Sequence, residues 1–417
     1  MARPFRKPRL PTDNGEAPQF KEFAGIINTR SRKDIGMGGL RVGKNVFVSD
    51  SKKVTRVSGY ELVYPGNVLS AFGGMAGLYV VEDDAILLAP EGDVANAATV
   101  ATGMIGTKYV WDEVNGDVFF VNGVDAGLLR GAAMLPLRLT APVITSVEVV
   151  SVGTRATTPV NIGASYDEAT WRFCATFVTA DGRETAPSEV VSIIASPLAN
   201  LFRVTVPPAY EFTNIYVTQP DGTEYRRVVT TRDSVVSIAP AQRSEQLTSV
   251  GTYAMPAGIE CIVWCDGQLW GSLYVPHLKQ SVIWASDPFA YHLWRPASEG
   301  IAVSGRVSMM QRAKEGMVIG TTHWVYHLSG GEKLTTLAEY GVVPGQAGDV
   351  TAEGDVYFWT TRGFCKAMPF ENLTEANLSV PPGGVAYSKI LYLNGSMLCV
   401  ALTDGGGQAF NQRTERE

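Results

Sequence analysis

Five times along this 417-residue chain a short apolar run meets a glycine beside Asp, Asn or Glu and then turns apolar again. The segments are Tyr109 to Val121, Ile262 to Tyr274, Met310 to Tyr326, Val350 to Trp359 and Ile390 to Val400. A glycine next to Asn or Asp supplies the positive φ angles that a tight hairpin turn needs, so each segment reads as strand, turn, strand. Hairpins repeated in this way give a β-propeller. Strand-period alternation supports the same reading, with Val46 and Val48 opposing Phe47, and Tyr109 and Trp111 opposing Val110. Helical periodicity is scarce; the Ala-rich stretch Asp93 to Gly103 reads as one short helix.

The texture changes at Thr140. From there to about Ile238 short strands such as Thr170 to Thr179, Leu201 to Val206 and Thr213 to Thr218 alternate with turns at Asp181-Gly182 and Asp221-Gly222. Turn signals about every ten residues describe an immunoglobulin- or fibronectin-like β-sandwich, with Trp171 as a core aromatic. The hairpin texture returns after Pro256. The chain therefore reads as an all-β protein: a basic extended arm over 1–19, a first propeller segment over 20–139, an inserted sandwich over 140–253, a second propeller segment over 254–402 and a flexible tail over 403–417. At about 40 to 45 residues per blade the two propeller segments make about six blades. The strand Asn45 to Ser49, or its upstream neighbour, is expected to complete the blade containing Ile390 to Val400.

Gly 43 and Pro 23 fit a chain with many turns, and 45% apolar against 18% charged residues describes a globular one. A formal net charge of −6 makes no global case for nucleic-acid binding. The local exception is the start of the chain, where Arg3, Arg6, Lys7 and Arg9 stand between prolines that block a helix. These four are the candidate docking residues for an acidic partner surface. Cys174, Cys261, Cys265, Cys365 and Cys399 are odd in number and scattered, and read as reduced core residues. Cys261 and Cys265 share a strand, which sets them about 13 Å apart, too far for a disulfide or one metal. With no apolar leader and no run of about 18 apolar residues, the chain is expected to be made soluble in a cytoplasm without membrane insertion.

Enzyme templates fail on residue type or spacing. Gly36-Met37-Gly38-Gly39 lacks the remainder of a dinucleotide or phosphate-loop motif. His323 and His327 have a metal-ligand spacing only on a helix, and the intervening Trp324-Val325-Tyr326 favours a strand. His277 and His292 stand beside no evident nucleophile. Asp83-Asp84, Asp112-Glu113 and Glu353 with Asp355 could form a glycosidase pair, but all three read as turn residues. The expectation is no catalysis, no metal and no cofactor.

Three stretches carry a resemblance. Glu22 to Tyr60 has an opening at Phe23, Gly25, Ile26, Ile27 and Asn28, a strand at Asn45 to Val48 and an R-x-x-G-Y element at Arg56 to Tyr60. Ser281 to Pro296 contains a W-A-S-D-P…W element, and Trp171 to Ser188 ends in the turn D-G-R-E-T-A-P-S. In this order the elements resemble tailed-bacteriophage virion proteins, the short-tail nozzle, tail-hub and head-to-tail junction family. The resemblance implies a structural protein of the virion tail, assembled in the host cytoplasm, that closes into a homo-oligomeric ring, taken as a hexamer. It also implies docking on a portal, adaptor or other tail protein, and passage of genomic DNA through the lumen without sequence readout. The alternative is a carbohydrate- or receptor-binding propeller of a tail tip or fibre, for which Trp270, Trp294, Trp324 and Trp359 would stack on sugar rings unless they fill the space between blades.

Overall fold

The computed structural model describes residues 67–374 apart from 106–107, 153–167, 197–198, 241–243, 297–299 and 347, together with 386–393, 396–403, 406–412 and the strand segments 25–26, 39–40, 46–48 and 54–56. Among them the chain is built from antiparallel sheets joined by turns, with two short 3-10 segments and no α-helix. The first sheet runs Val68–Gly74, Gly77–Glu82, Ala85–Ala89 and Ala98–Thr102, each strand beside the next. The second repeats the pattern with Val110–Val114, Asp117–Val121, Ala126–Arg130 and Ala133–Pro136. A third starts with Cys261–Cys265, Gln268–Val275 and Gln280–Asp287, the last of which pairs with both Ala290–Trp294 and Ile301–Ser304. The fourth holds Val307–Arg312, Met317–Thr321, Val325–Ser329 and Lys333–Ala338, and the fifth Gly348–Val350, Val356–Thr360, Gly363–Lys366 and Glu371–Asn372. The sixth is Ala386–Leu393, Ser396–Thr403 and Gly406–Gln412, with Gly345–Gln346 added in parallel.

All five hairpins expected from the sequence form. Asn115 (φ 53°) with Gly116 (φ 85°), and Asp266 (φ 52°) with Gly267 (φ 80°), adopt the paired positive angles of type I′ turns. Three expectations change. Asp93 to Gly103 is a 3-10 turn followed by the edge strand Ala98–Thr102, because pairing with Ala85–Ala89 satisfies its backbone where a short Thr-containing helix would be marginal. Residues 406–412, expected to be flexible, pair along their length with Ser396–Thr403; a full row of ladder bonds outweighs the freedom of the glycines. The strand Val46–Val48 pairs with Val54–Arg56, and the fourth strand of the sixth sheet is Gly345–Gln346 instead.

The cores lie between sheets. Tyr79, Val81 and Ile86 of the first sheet meet Tyr109, Trp111 and Phe120 at the second. Phe119, Val121 and Leu128 of the second meet Ile262, Leu269 and Trp294 of the third, which in turn offers Val263, Trp270 and Ile283 to Met310, Ile319 and Tyr326 of the fourth. Val318 and Val325 of the fourth join Phe358, Trp359 and Phe364 of the fifth and Ile390 of the sixth. Middle strands such as Met317–Thr321 and Val356–Thr360 are buried at every position. Covered on both faces, they read as uninterrupted apolar runs.

Between the second and third sheets the chain makes two further sheets: Ser146–Val152, Ala199–Thr205 and Val235–Ile238 in one, and Val191–Ala195, Ala169–Val178, Phe212–Val217 and Arg226–Thr231 in the other. They share one apolar cluster, in which Phe202 of the first layer packs 5.1 Å from both Trp171 and Phe173 of the second. Trp171 is 3% exposed, a core aromatic as expected. This two-layer unit is fastened by the turn Asp181 to Glu184. Arg183 donates to the Pro136 carbonyl at 2.8 Å and clasps Asp181, which lies 3.7 Å from Arg130 of the second sheet. His292 of the third sheet donates from Nε2 to the Glu184 carbonyl at 2.8 Å, and burial pushes its pKa below the ordinary histidine value, keeping the ring neutral. One carboxylate oxygen of Glu184 accepts from Thr176, from Asn214 at 2.9 Å and from Tyr216 at 2.6 Å.

Removing either inter-sheet tryptophan, Trp294→Ala or Trp359→Ala, is expected to cost about 3–5 kcal/mol. Met75→Ala, at a side chain 82% exposed, should stay within about 0.5 kcal/mol of wild type. Thermal unfolding of the three variants checks the contrast; equal small shifts would mean that the inter-sheet clusters do not hold the frame. Glu184→Ala leaves three buried donors unmatched at about 1–3 kcal/mol each, whereas Glu184→Gln keeps an acceptor oxygen and should lose less. Urea denaturation of the pair tests that order.

Candidate functional site

The first strand of each of the six sheets runs along a single cavity of about 540 Å³. Its wall includes Phe72, Asp112, Trp264, Arg312, Asp349 and Ser388, one residue from each sheet in turn. Five of these strands are edges of their sheets, so each carries backbone N–H and C=O groups that no strand ladder takes up.

Electrostatics in the wall centre on Asp112. The carboxylate accepts the backbone N–H of Trp264 from the third sheet, and that of Glu113 at 2.8 Å. It is walled in by protein, and this desolvation raises its pKa from 3.8 to about 6 against the opposing pull of the two N–H bonds and of Arg312. Arg312 lies over the Trp264 indole, its Cζ 4.6 Å from the ring centre. Glu113 accepts the Met75 N–H at 2.9 Å. Lys389 pairs with Asp349 at 3.2 Å, and the same oxygen accepts the Ile390 N–H at 2.8 Å. Each charged carboxylate in the wall thus has a protein partner from another strand or another sheet.

Asp112 and Glu113 lie within the strand Val110–Val114 rather than at a turn, because Asn115-Gly116 takes the turn positions. Sequence reading placed these carboxylates on a hairpin tip and missed their inward role. Asp83 and Asp84 are exposed turn residues, Glu353 is in a turn, and Asp355 pairs with Lys366 at 2.9 Å, so the three acidic clusters belong to separate sheets. His327 is on a strand, with Nε2 against the Glu315 carbonyl, while His323 is in the preceding turn. No three His, Cys, Asp or Glu side chains gather in metal-binding fashion among the described residues. Cys174, Cys261, Cys265 and Cys365 are free and buried. Trp270, Trp294 and Trp359 are buried and fill the inter-sheet clusters, and Trp324 is half-buried against Tyr326. Arg3, Arg6, Lys7 and Arg9 lie outside the described residues. Nothing in the sequence links Asp112, Trp264 and Arg312; the bond from Trp264 to Asp112 spans 152 residues.

No family model matches the chain, and no curated protein does. Among solved structures, hydrazine synthase of Kuenenia stuttgartiensis is similar at 8% identity and a TM-score of 0.35, over 87% of this chain and 100% of that one. Apo AztD from Citrobacter koseri is similar at 12% identity and a TM-score of 0.33, over 88% and 89%. Hsv2 from Kluyveromyces lactis is similar at 8% identity and a TM-score of 0.28, over 83% and 98%.

A folded-state pKa raised above the unfolded one means that the folded chain holds the extra proton between about pH 4 and pH 6, so this group's contribution to stability is full below that window and is lost as pH rises through it. Asp112→Asn removes the ionisation. The stability difference between wild type and the variant should shift in the variant's favour by on the order of 2 kcal/mol from pH 4 to pH 7. Urea denaturation at the two pH values measures it, and a pH-independent difference would contradict the origin assigned to the shift.

Proposed function

We propose that the chain is a six-bladed β-propeller with an immunoglobulin- or fibronectin-like sandwich inserted between its second and third blades, and that it serves as a structural protein of a tailed-phage virion. The blades occupy 20–139 and 254–402, the insert 140–253 and the basic arm 1–19; residues 406–412 extend the sixth blade. The fold reading is supported by cores that lie between successive sheets and by first strands that meet at one cavity, the two marks of radial stacking.

The function reading is carried by the use made of the residues that resemble the virion family. In the element Ser281 to Pro296, Ser286 accepts the Leu269 N–H at 2.9 Å and donates to the Asp287 carbonyl at 3.0 Å. Asp287 holds the Arg295 guanidinium with both oxygens, at 2.7 and 3.1 Å. In the turn Asp181 to Ser188 the carboxylates hold Arg183, Thr176, Asn214 and Tyr216, and Ser188 accepts the Ala175 N–H at 3.0 Å. A recognition site keeps donors and acceptors in hand for a ligand, whereas these are committed to the protein's own frame. Stiff blades and a fastened insert suit a building block of an assembly.

In this reading copies close into a ring, a hexamer, in the tail or at the head-to-tail junction. Arg3, Arg6, Lys7 and Arg9 dock on an acidic face of a neighbouring copy or of a portal or adaptor protein. DNA passes through the ring without sequence readout, and the net charge of −6 keeps phosphates from adhering. The sugar-stacking alternative loses three of its four platforms to burial.

Light scattering on the size-excluded protein and cryo-electron microscopy, alone and on isolated tailed-phage portal and adaptor complexes, test the reading. Closed rings that do not retain duplex DNA at about 150 mM salt are the expected result. A protein that stays monomeric on every platform, or that holds duplex DNA tightly at that salt, would overturn it.

A further inference from the structure

One charged group on the wall of the six-strand cavity is uncommitted. Arg312 ends the strand Val307–Arg312, is exposed and lines the cavity, and its guanidinium makes no hydrogen bond or ion pair with any described residue. It is nonetheless held in place, with Cζ 4.6 Å from the centre of the Trp264 ring. Stacking covers a face of a guanidinium and leaves its N–H edge free to donate. Asp112 does not take that edge. It acts on Arg312 through space only, while its carboxylate accepts the N–H groups of Trp264 and Glu113. At the same end of the first strands Asn115 is exposed, lines the cavity and carries an amide with no partner among the described residues, a second free donor.

We infer that the cavity binds a small monocarboxylate with an apolar body, its carboxylate seated on the Arg312 guanidinium. The planar N–H fork matches two carboxylate oxygens, and stacking on Trp264 holds it ready before a ligand arrives. Charge sets the number of carboxylates. The ionisable residues of the wall are Asp112, Glu113, Asp349, Arg312 and Lys389, three acids against two bases, so Arg312 can meet one ligand charge but a second would face a wall already acidic. A cation would find every acid engaged, since Asp112 and Glu113 hold backbone N–H groups and Asp349 holds Lys389. A neutral ligand would leave the guanidinium unmatched. Phe72, Val110 and Val350 line the same cavity and are each partly exposed, which offers cover to an apolar body. The volume of about 540 Å³ falls within the range of small-molecule sites, roughly 300 to 1,000 Å³. The inference is independent of the virion role.

The test is calorimetric titration and saturation-transfer NMR of the full chain near neutral pH with benzoate, phenylacetate and hexanoate. Benzyl alcohol is the neutral arm, hexylamine the cationic one, and succinate and inorganic phosphate carry the second charge. At least one monocarboxylate should bind, and more tightly than any of these four. Arg312→Met keeps an unbranched stem on the Trp264 ring and removes the charge, and should weaken that monocarboxylate about ten- to a hundredfold. Arg312→Lys keeps the charge without the fork, and its affinity should fall between the two. Arg312 is exposed and has no ion pair to lose, so Arg312→Lys should melt as wild type does and separates lost binding from lost folding even if Arg312→Met unfolds. If no monocarboxylate in the panel binds, if an uncharged, cationic or doubly charged probe binds as tightly, or if both variants bind as wild type does, the inference is wrong.

Discussion

The inner strands of the stacked sheets are apolar on both faces, and the burial of both by neighbouring sheets is what the rest of the structure depends on. The strand Val356–Thr360 is buried at all positions, with Trp359 and Phe358 fully enclosed on opposite sides of the pleat. A sheet of this kind cannot stand alone or face water on one side. Its neighbours in sequence supply the cover, so the chain stacks sheet upon sheet in the order in which it is made. The first strand of each sheet is then directed to one place, and the cavity follows from the stacking rather than from any dedicated segment.

Polar residues serve that frame where apolar ones cannot reach. Asp112 ties the second sheet to the third through the Trp264 N–H. Asp125 ties loops of the first and second sheets together by accepting from Tyr109 and from the Ile105 N–H, both at 2.6 Å. Glu184 does the same inside the two-layer unit while its carbonyl meets His292 of the third sheet. In each case a carboxylate collects several donors, which lowers the cost of burying it. Asp112 shows the residual cost, for its raised pKa records desolvation that two N–H bonds only partly offset.

Local chemistry was legible and long-range chemistry was not. Asn115-Gly116 and Asp266-Gly267 announced their turns because only a few residue types accept positive φ, and the strands on either side followed. Asp93 to Gly103 misled because Ala favours a helix intrinsically, whereas pairing with Ala85–Ala89 decides the outcome. The glycines over Gly406 to Gln408 likewise hid a strand that its partner specifies. Asp112 was legible as an acidic residue near a turn but not as a cavity residue, since register, not composition, sets the face a strand residue takes.

The place of the two-layer unit follows from the same constraint. It leaves after the strand Ala133–Pro136, the outermost of the second sheet, and the chain returns at Tyr253–Ala254, which pairs with Ala290–Trp294 of the third. An insertion inside a sheet would break a ladder, and one at an inner edge would enter the cavity. Between sheets, it adds only closure entropy, which grows slowly with loop length. Leu137, Met255 and Ile259 lie on the two connecting segments and pack into the same cluster as Phe119 and Trp294. Both connections of the two-layer unit therefore belong to the core that joins the second sheet to the third.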